Sequence, residues 1–403
     1  MKSKIANISR TALRYLGVFL CMVMIFSILS TIAYSIPSSS SVRENICRSK
    51  GILASESKYP SLFLSLEMKD NFTDNKMLQI AEFDEPGSSS GNPFVNALLN
   101  QYHYYGHPGV KEDIVTYARY WHGYLVPLKL QLTYTDIAGI RITNILFLSF
   151  LLIASVALLR KKVGIRTASM FAFSILLTGV PLVPVCMQFS TCYYITLISV
   201  IAILTFPRLT AGLSGITITL FIIGGITSYM DFLTVPMMTL GFPLAVVFMQ
   251  KPEKCRIRIL IYASIAWMAG YGGIWASKWI LTSAITEFNV INDALNSINV
   301  HTSVNTTSNA TIIKIFILVI TFAIIDFSAC LTFKKNNLVL KRYIPLVIIG
   351  CLPIIWYLVL WTHTMNHYWF TWRALSLLIF CWGLYGLMTV DFKRITHLHI
   401  NGA

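Results

Sequence analysis

What most constrains this chain is the recurrence of apolar runs about as long as a bilayer is thick. Residues 13–36 and 257–280 each reach the roughly twenty apolar residues that a helix needs to cross a hydrocarbon core. Further runs follow at 139–159, 168–187, 191–206, 210–229, 233–249, 310–333, 343–361 and 374–390, which gives ten expected spans. Barrel strands would be about ten residues long and would alternate, so a β-barrel does not fit. Only 12% of the 403 residues are charged, about half the share usual in a soluble domain. The expectation is an all-α polytopic membrane protein.

The net charge of +15 invites a nucleic-acid reading, but the cations sit at alternate ends of apolar runs instead of forming one stripe. With the N-terminus cytoplasmic, the even-numbered connections carry Arg160, Lys161, Lys162 and Arg166, then Arg208, then Lys251, Lys254, Arg256 and Arg258. Lys334, Lys335, Lys341 and Arg342 follow, and lastly Lys393 and Arg394. This pattern satisfies the positive-inside rule and puts both termini in the cytoplasm. The first run follows Lys2, Lys4, Arg10 and Arg14 as a signal peptide would, but it is longer than a typical signal core and reads as a retained anchor. The domain plan is a first helix (1–36), a large extracytoplasmic loop, partly helical (37–138), a multi-helix body (139–390) and a cytoplasmic tail (391–403).

The loop holds eleven of the seventeen acidic side chains. Cys47 is its one cysteine. Cys186 and Cys192 flank a hairpin tip where a bridge is possible, although free thiols are favoured. The same topology puts residues 188–191, 228–231, 282–309 and 362–373 on the loop's side.

Four outward constellations carry chemistry. In Tyr117-Ala-Arg-Tyr-Trp-His-Gly-Tyr124, a helical reading puts Arg119 and His122 on one face among Tyr120 and other rings, suited to a phosphate or a sugar. The plainer alternative is an amphipathic helix lying at the headgroups. In His363-Thr-Met-Asn-His-Tyr-Trp-Phe-Thr-Trp-Arg373, the spacing of His363 and His367 would suit zinc, but no HExxH glutamate or third ligand accompanies them. A divalent metal is therefore possible but not indicated. A polar cap in which Asn366, His367 and Arg373 bind a headgroup fits better. Asp231 and Lys278 lie at outer ends of spans, where ionisable groups face a cavity, pair or snorkel. Asp84 and Glu85, in an acidic run before a Gly/Ser-rich linker, are candidate general bases, with a solvated loop the plainer alternative. Asp70 and Asp74 are rival acids with little individual signal. There is no P-loop, GxGxxG or nucleophile elbow, and no cytoplasmic connection is long enough for a nucleotide-binding domain.

A first span, a large acid-bearing loop and then many spans with short connections resembles the GT-C superfamily of membrane glycosyltransferases. The segments 117–124, Ser228-Tyr-Met-Asp-Phe-Leu-Thr-Val-Pro236 and 363–373 are similar to motifs (YARYWHGY, HxxxHYWFTxR) of a family of bacterial multipass membrane proteins. The resemblance implies transfer of a sugar from a polyprenyl-phosphate-linked donor to a cell-envelope glycan or lipid acceptor, at the outer face of a bacterial cytoplasmic membrane. It needs no cofactor. It implies Asp84 or Glu85 as base and Arg119, His122, His367 and Arg373 as holders of the phosphate; Tyr120, Asp231, Lys278, His363 and Asn366 complete the candidate substrate site. Many GT-C members carry their acid shortly after the first span, where this chain has only Glu44. A flippase for a lipid-linked saccharide and a non-catalytic membrane scaffold are the rival readings.

Overall fold

The structure, a computed structural model, describes residues 2–36, 40–61, 68–83, 91–104, 113–179, 181–231, 233–303, 310–333, 335 and 337–391. It is nearly all helical. α1 (Lys2–Ser35) leads into a capping unit of α2 (Ser40–Ser55), α3 (Asn71–Glu82), α4 (Pro93–Leu99), the strands β1 (Gln101–Tyr104) and β2 (Asp113–Thr116), and α5 (Leu125–Leu132). The body follows as α6 (Ile137–Lys162), α7 (Ile165–Gly179), α8 (Met187–Thr205), α9 (Gly212–Met230), α10 (Met237–Gln250) and α11 (Ile257–Ile285). It continues with α12 (Val290–Thr302), α13 (Ala310–Thr332), α14 (Asn337–Val359), the short α15 (Trp361–Asn366) and α16 (Tyr368–Thr371), and α17 (Leu375–Thr389).

Among the described residues, seven helical segments are long and apolar enough to cross a membrane, which marks an integral membrane protein. Every expected span falls wholly or largely on a helix, but α7 (15 residues) and α10 (14 residues) are shorter than a full crossing. Local chemistry explains both. The expected 168–187 run stops at Gly179 because Pro181 and Pro184 follow, and α10 starts only after Pro236. α10 is buried along nearly its whole length, as expected of a helix apolar all round. α9 and α11 pack most closely. A Cβ added at Gly270 would lie 2.0 Å from the Phe221 carbonyl oxygen, and one at Gly224 would lie 2.2 Å from that of Trp267. Glycines let helix backbones approach this closely.

The helix ends sort into two sets. At one end Tyr15 donates to Thr217 (2.7 Å), Lys251 to Thr210 (2.6 Å), and the Asp391 amide to the Phe333 carbonyl (2.7 Å). At the other end sits the capping unit, whose own core (Val42, Ile46, Leu78, Ile80, Leu125, Leu132) runs into Ala33, Ile137 and Met187 of the bundle. α3 and α4 of this unit, and α6 at the start of the body, begin where the sequence supplies caps. Asp70 accepts from the Thr73 amide (2.9 Å), Asn92 precedes Pro93, and Asp136 accepts from the Ala138 amide (2.9 Å). α4 ends on Asn100 in the left-handed region, φ 47°. Polar links clamp the unit to the bundle. Arg141 of α6 forks onto Glu56 (2.6 and 2.9 Å), and Asp74 accepts from the Met187 and Gln188 amides at the start of α8 (3.1 and 3.2 Å). Burial would raise Glu56, but Arg141, Lys69 and Asn71 outweigh it and bring its pKa down to about 2. All eight cysteines are free.

Candidate functional site

The 117–124 segment is an irregular strap, not a helix, and so does not offer Arg119 and His122 on one face. The ladder of β2 with β1 holds residues 113–116 extended, and the bundle takes over from there. Trp121 buries its ring and donates to the Ile274 carbonyl (2.7 Å). The Gly123 amide donates to the Tyr229 carbonyl (2.8 Å). Trp275 and Trp279 of α11 both donate to the Arg119 carbonyl (2.6 and 2.9 Å). Gly123 is required here because a Cβ would meet the Tyr229 ring at 2.4 Å. These long-range bonds override any local helical preference.

The strap divides its side chains. His122, at φ 54°, turns into the protein. Its Nε2 donates to the Tyr117 carbonyl (2.9 Å) and its Nδ1 meets the Tyr124 hydroxyl (3.1 Å). Burial lowers its pKa to about 3, so the ring is neutral and fully partnered. Tyr120 is buried and stacked on Trp275, with centroids 5.7 Å apart. Arg119 turns the other way, over the Tyr117 ring (4.7 Å) and onto Asp293 of α12 (3.0 Å), and stays part-exposed.

Other expected site residues sit in seams. Lys278 is fully buried and donates to the Ala97 carbonyl (2.7 Å) and the Asn100 side chain (2.9 Å), tying α11 to the end of α4. Asp231 accepts from the Thr234 amide (2.9 Å) and hydroxyl. It thereby holds a turn in which Leu233 has φ 64°, a costly conformation for a non-glycine residue. His363 steadies the same turn by donating from Nε2 to the Leu233 carbonyl (3.0 Å). Arg373 is buried, with its guanidinium over Phe189 (4.6 Å) and a bond to the Trp369 carbonyl. Asn366 is exposed. Asp84 and Glu85 lie outside the described residues.

Arg119, His363 and His367 do share one neighbourhood, joined by residues for which the sequence offered no signal. His301 of α12 lies edge-on to His363 (5.0 Å), which in turn lies 4.9 Å from His367. Burial and then the neighbouring histidines hold His363 at about 3, and burial and then His301 hold His367 at about 4. Both rings are therefore neutral at pH 7. Their Nδ1 atoms have no hydrogen-bond partner among the described residues. The rings do not converge on a point: among the described residues, no group of three or more His, Cys, Asp or Glu could hold a metal ion.

Beside them lies a second set. Lys76 sits over the rings of Phe72 (5.1 Å), Tyr102 and Tyr117 (both 5.6 Å). Burial and then Arg119 lower its proton affinity, and Asp70 opposes that. Asp70, 1% exposed, accepts from the Trp369 indole at 3.3 Å. Burial raises its pKa despite its hydrogen bonds and Lys76. Asp70, Lys76, Arg119, His301 and His367 thus form one polar, aromatic-framed crown on the capped end. Next to Lys76 in sequence, Met77 lines a different space. This is a largely apolar cavity of about 440 Å³ between the capping unit and the bundle, bounded also by Leu128, Ile140, Met187 and Ile195. Phe147 and Ile198, among the residues lining it, are exposed on the outer face of the bundle.

No protein-family model matches the chain, and no curated protein or solved structure matches it.

Proposed function

We propose that the chain is a glycosyltransferase that moves a sugar from a polyprenyl-phosphate-linked donor to a cell-envelope glycan or lipid acceptor. In this reading ten segments cross a bacterial cytoplasmic membrane, the short helices α7 and α10 completed by the chain that flanks them, both termini are cytoplasmic, and the capped end faces outward. The observation that carries it is the adjacency of Met77 and Lys76. One lines an apolar cavity beside exposed apolar side chains, and the other enters a cation-bearing crown. A substrate with a hydrocarbon chain and an anionic head needs such a pair of environments.

The chemistry follows from the residues present. Lys76 and Arg119 stabilise the phosphate as it leaves, in a part-buried site where charge interactions are stronger than in water. Neutral His367 donates a hydrogen bond to the donor. Asp70 accepts the proton of the acceptor hydroxyl, its raised pKa making it a better base than an ordinary carboxylate. The Trp369 bond to Asp70 is long enough for that hydroxyl to replace it. Asp84 and Glu85 are the alternative bases from the same loop. His122, Lys278, Asp231 and Arg373 act by holding the strap, α4, the 231–234 turn and α16 in place. A donor of this kind carries its own activation, so no nucleotide site is needed.

The test is complementation of a gene deletion with Asp70→Asn, Lys76→Gln and Arg119→Ala, each checked for normal expression. All three should fail to restore a sugar missing from the surface glycans. Full restoration by all three would sink the assignment.

A further inference from the structure

Three rings from separate segments form a continuous strip beside Asp70. Tyr59 precedes α3, Phe72 lies in its first turn, and Trp369 belongs to α16. Tyr59 lies 6.3 Å from Phe72 and 5.0 Å from Trp369, centroid to centroid. Tyr59 and Phe72 are 38% and 39% exposed, so neither ring is spent on the core. Lys58 and Lys76 stand 5.6 and 5.1 Å from the Phe72 centroid, and neither forms an ion pair among the described residues. Burial and Asp70 hold the Tyr59 phenol up at about 12, so it remains a hydrogen-bond donor.

We infer that the Tyr59–Phe72–Trp369 strip, flanked by Lys58 and Lys76, is a binding platform for an acidic saccharide. A pyranose has an apolar C–H face that lies on aromatic rings, and a hydroxyl rim that bonds to groups at their edge. The ring planes are tilted by 40° and 57° to one another, so each ring can meet a different sugar of a chain, and the Lys58 ammonium, which the donor phosphate does not engage, supplies the complement to a carboxylate. Interfacial aromatic residues anchoring the protein at headgroup depth would explain the rings. They would not explain two lysines packed on Phe72, nor a buried carboxylate bonded to Trp369. A lone anionic headgroup would explain the lysines but not the strip. In placing the acceptor glycan here, the inference rests on the transferase reading; as a binding site it stands apart from it.

The experiment uses the full chain in nanodiscs of zwitterionic lipid, with tetragalacturonic acid as the probe and maltotetraose as the neutral control, and binding read from tryptophan fluorescence and calorimetry. The acidic probe should bind, and bind more tightly than the neutral one. Tyr59→Ala and Phe72→Ala should each weaken it at least tenfold with unchanged melting temperature, and Phe72→Trp should retain it. Lys58→Gln should erase most of the acid-over-neutral preference. No binding of the acidic probe, equal binding of the neutral one, unaltered binding in both alanine variants, or displacement of the probe by phosphatidylglycerol in the disc would each overturn the platform. Probe binding without any sugar transfer would sink the transferase reading alone. Normal transfer in Tyr59→Ala and Phe72→Ala variants that no longer bind the probe would overturn the placing of the acceptor on the strip.

Discussion

Gly270 supports everything above it on α11, and its replacement by alanine gives a sharp test of the packing account. The added Cβ would lie 2.0 Å from the Phe221 carbonyl oxygen. Backbone cannot rotate away as a side chain can, so α9 and α11 must part by about 1 Å, losing the close approach that small residues allow. Overpacking of this kind costs about 1–3 kcal/mol, against which alanine's better helix propensity returns up to about 1 kcal/mol. Gly272, two residues on, is an internal control: a Cβ there meets nothing within 4 Å, so Gly272→Ala should be neutral or slightly stabilising. Melting in detergent, followed by intrinsic fluorescence and size exclusion, should place Gly270→Ala well below wild type and Gly272→Ala at or above it. The parting of α11 should also move Trp275, Trp279 and Lys278, which hold the strap and α4, so function should fall with stability. Equal melting temperatures for the two variants would refute the argument.

Other outcomes follow from single contacts. Lys278→Met leaves the Ala97 and Asn100 acceptors without their donor, at about 1–3 kcal/mol each, partly offset by no longer burying an ammonium. Limited proteolysis should then cut the capping unit faster while the bundle stays intact. His122, His363 and His367 have folded pKa values of about 3, 3 and 4 against 6.5 when unfolded. Their contribution is present in full above pH 6.5 and is lost as pH falls through that window, because the unfolded chain binds protons that the fold refuses. Asp74, which burial raises to about 7, and Asp70 act in the opposite sense, so the check is the difference between proteins: from pH 7.5 to 4.5 the melting temperature of His363→Gln should fall less than that of wild type. Asp293→Asn removes the carboxylate partner of Arg119. Being part-exposed, that pair contributes little to stability, so the variant should melt like wild type while affinity for an anionic substrate changes.

The helical body was legible because the length of an apolar run is set by the thickness of the bilayer. Where the match failed, a local breaker was responsible, as with Pro181 and Pro236. The capped end was less legible, because its contacts join residues far apart in sequence. The rings of 117–124 suggested an amphipathic helix, whereas bonds from Trp275, Trp279 and Tyr229 hold an irregular strap. Lys278 at a span's end looked available to a ligand, but its partners lie about 180 residues earlier. Asp70 and His301 carried no motif. Their interest comes from Trp369 and from His363, which only the fold brings beside them. His363 and His367 were visible from their spacing, but not the orientation that directs His363 onto the Leu233 carbonyl.

The most direct test of the central claim uses the purified chain in lipid discs, supplied with lipid-linked saccharides extracted from cells lacking the gene. Released polyprenyl phosphate is measured by mass spectrometry. Wild type should release it in an acceptor-dependent way, and Asp70→Asn and Arg119→Ala, folded to the same melting temperature, should not. No release by the wild-type chain from an extract that demonstrably contains the accumulated donor, or equal release by all three proteins, would contradict the account.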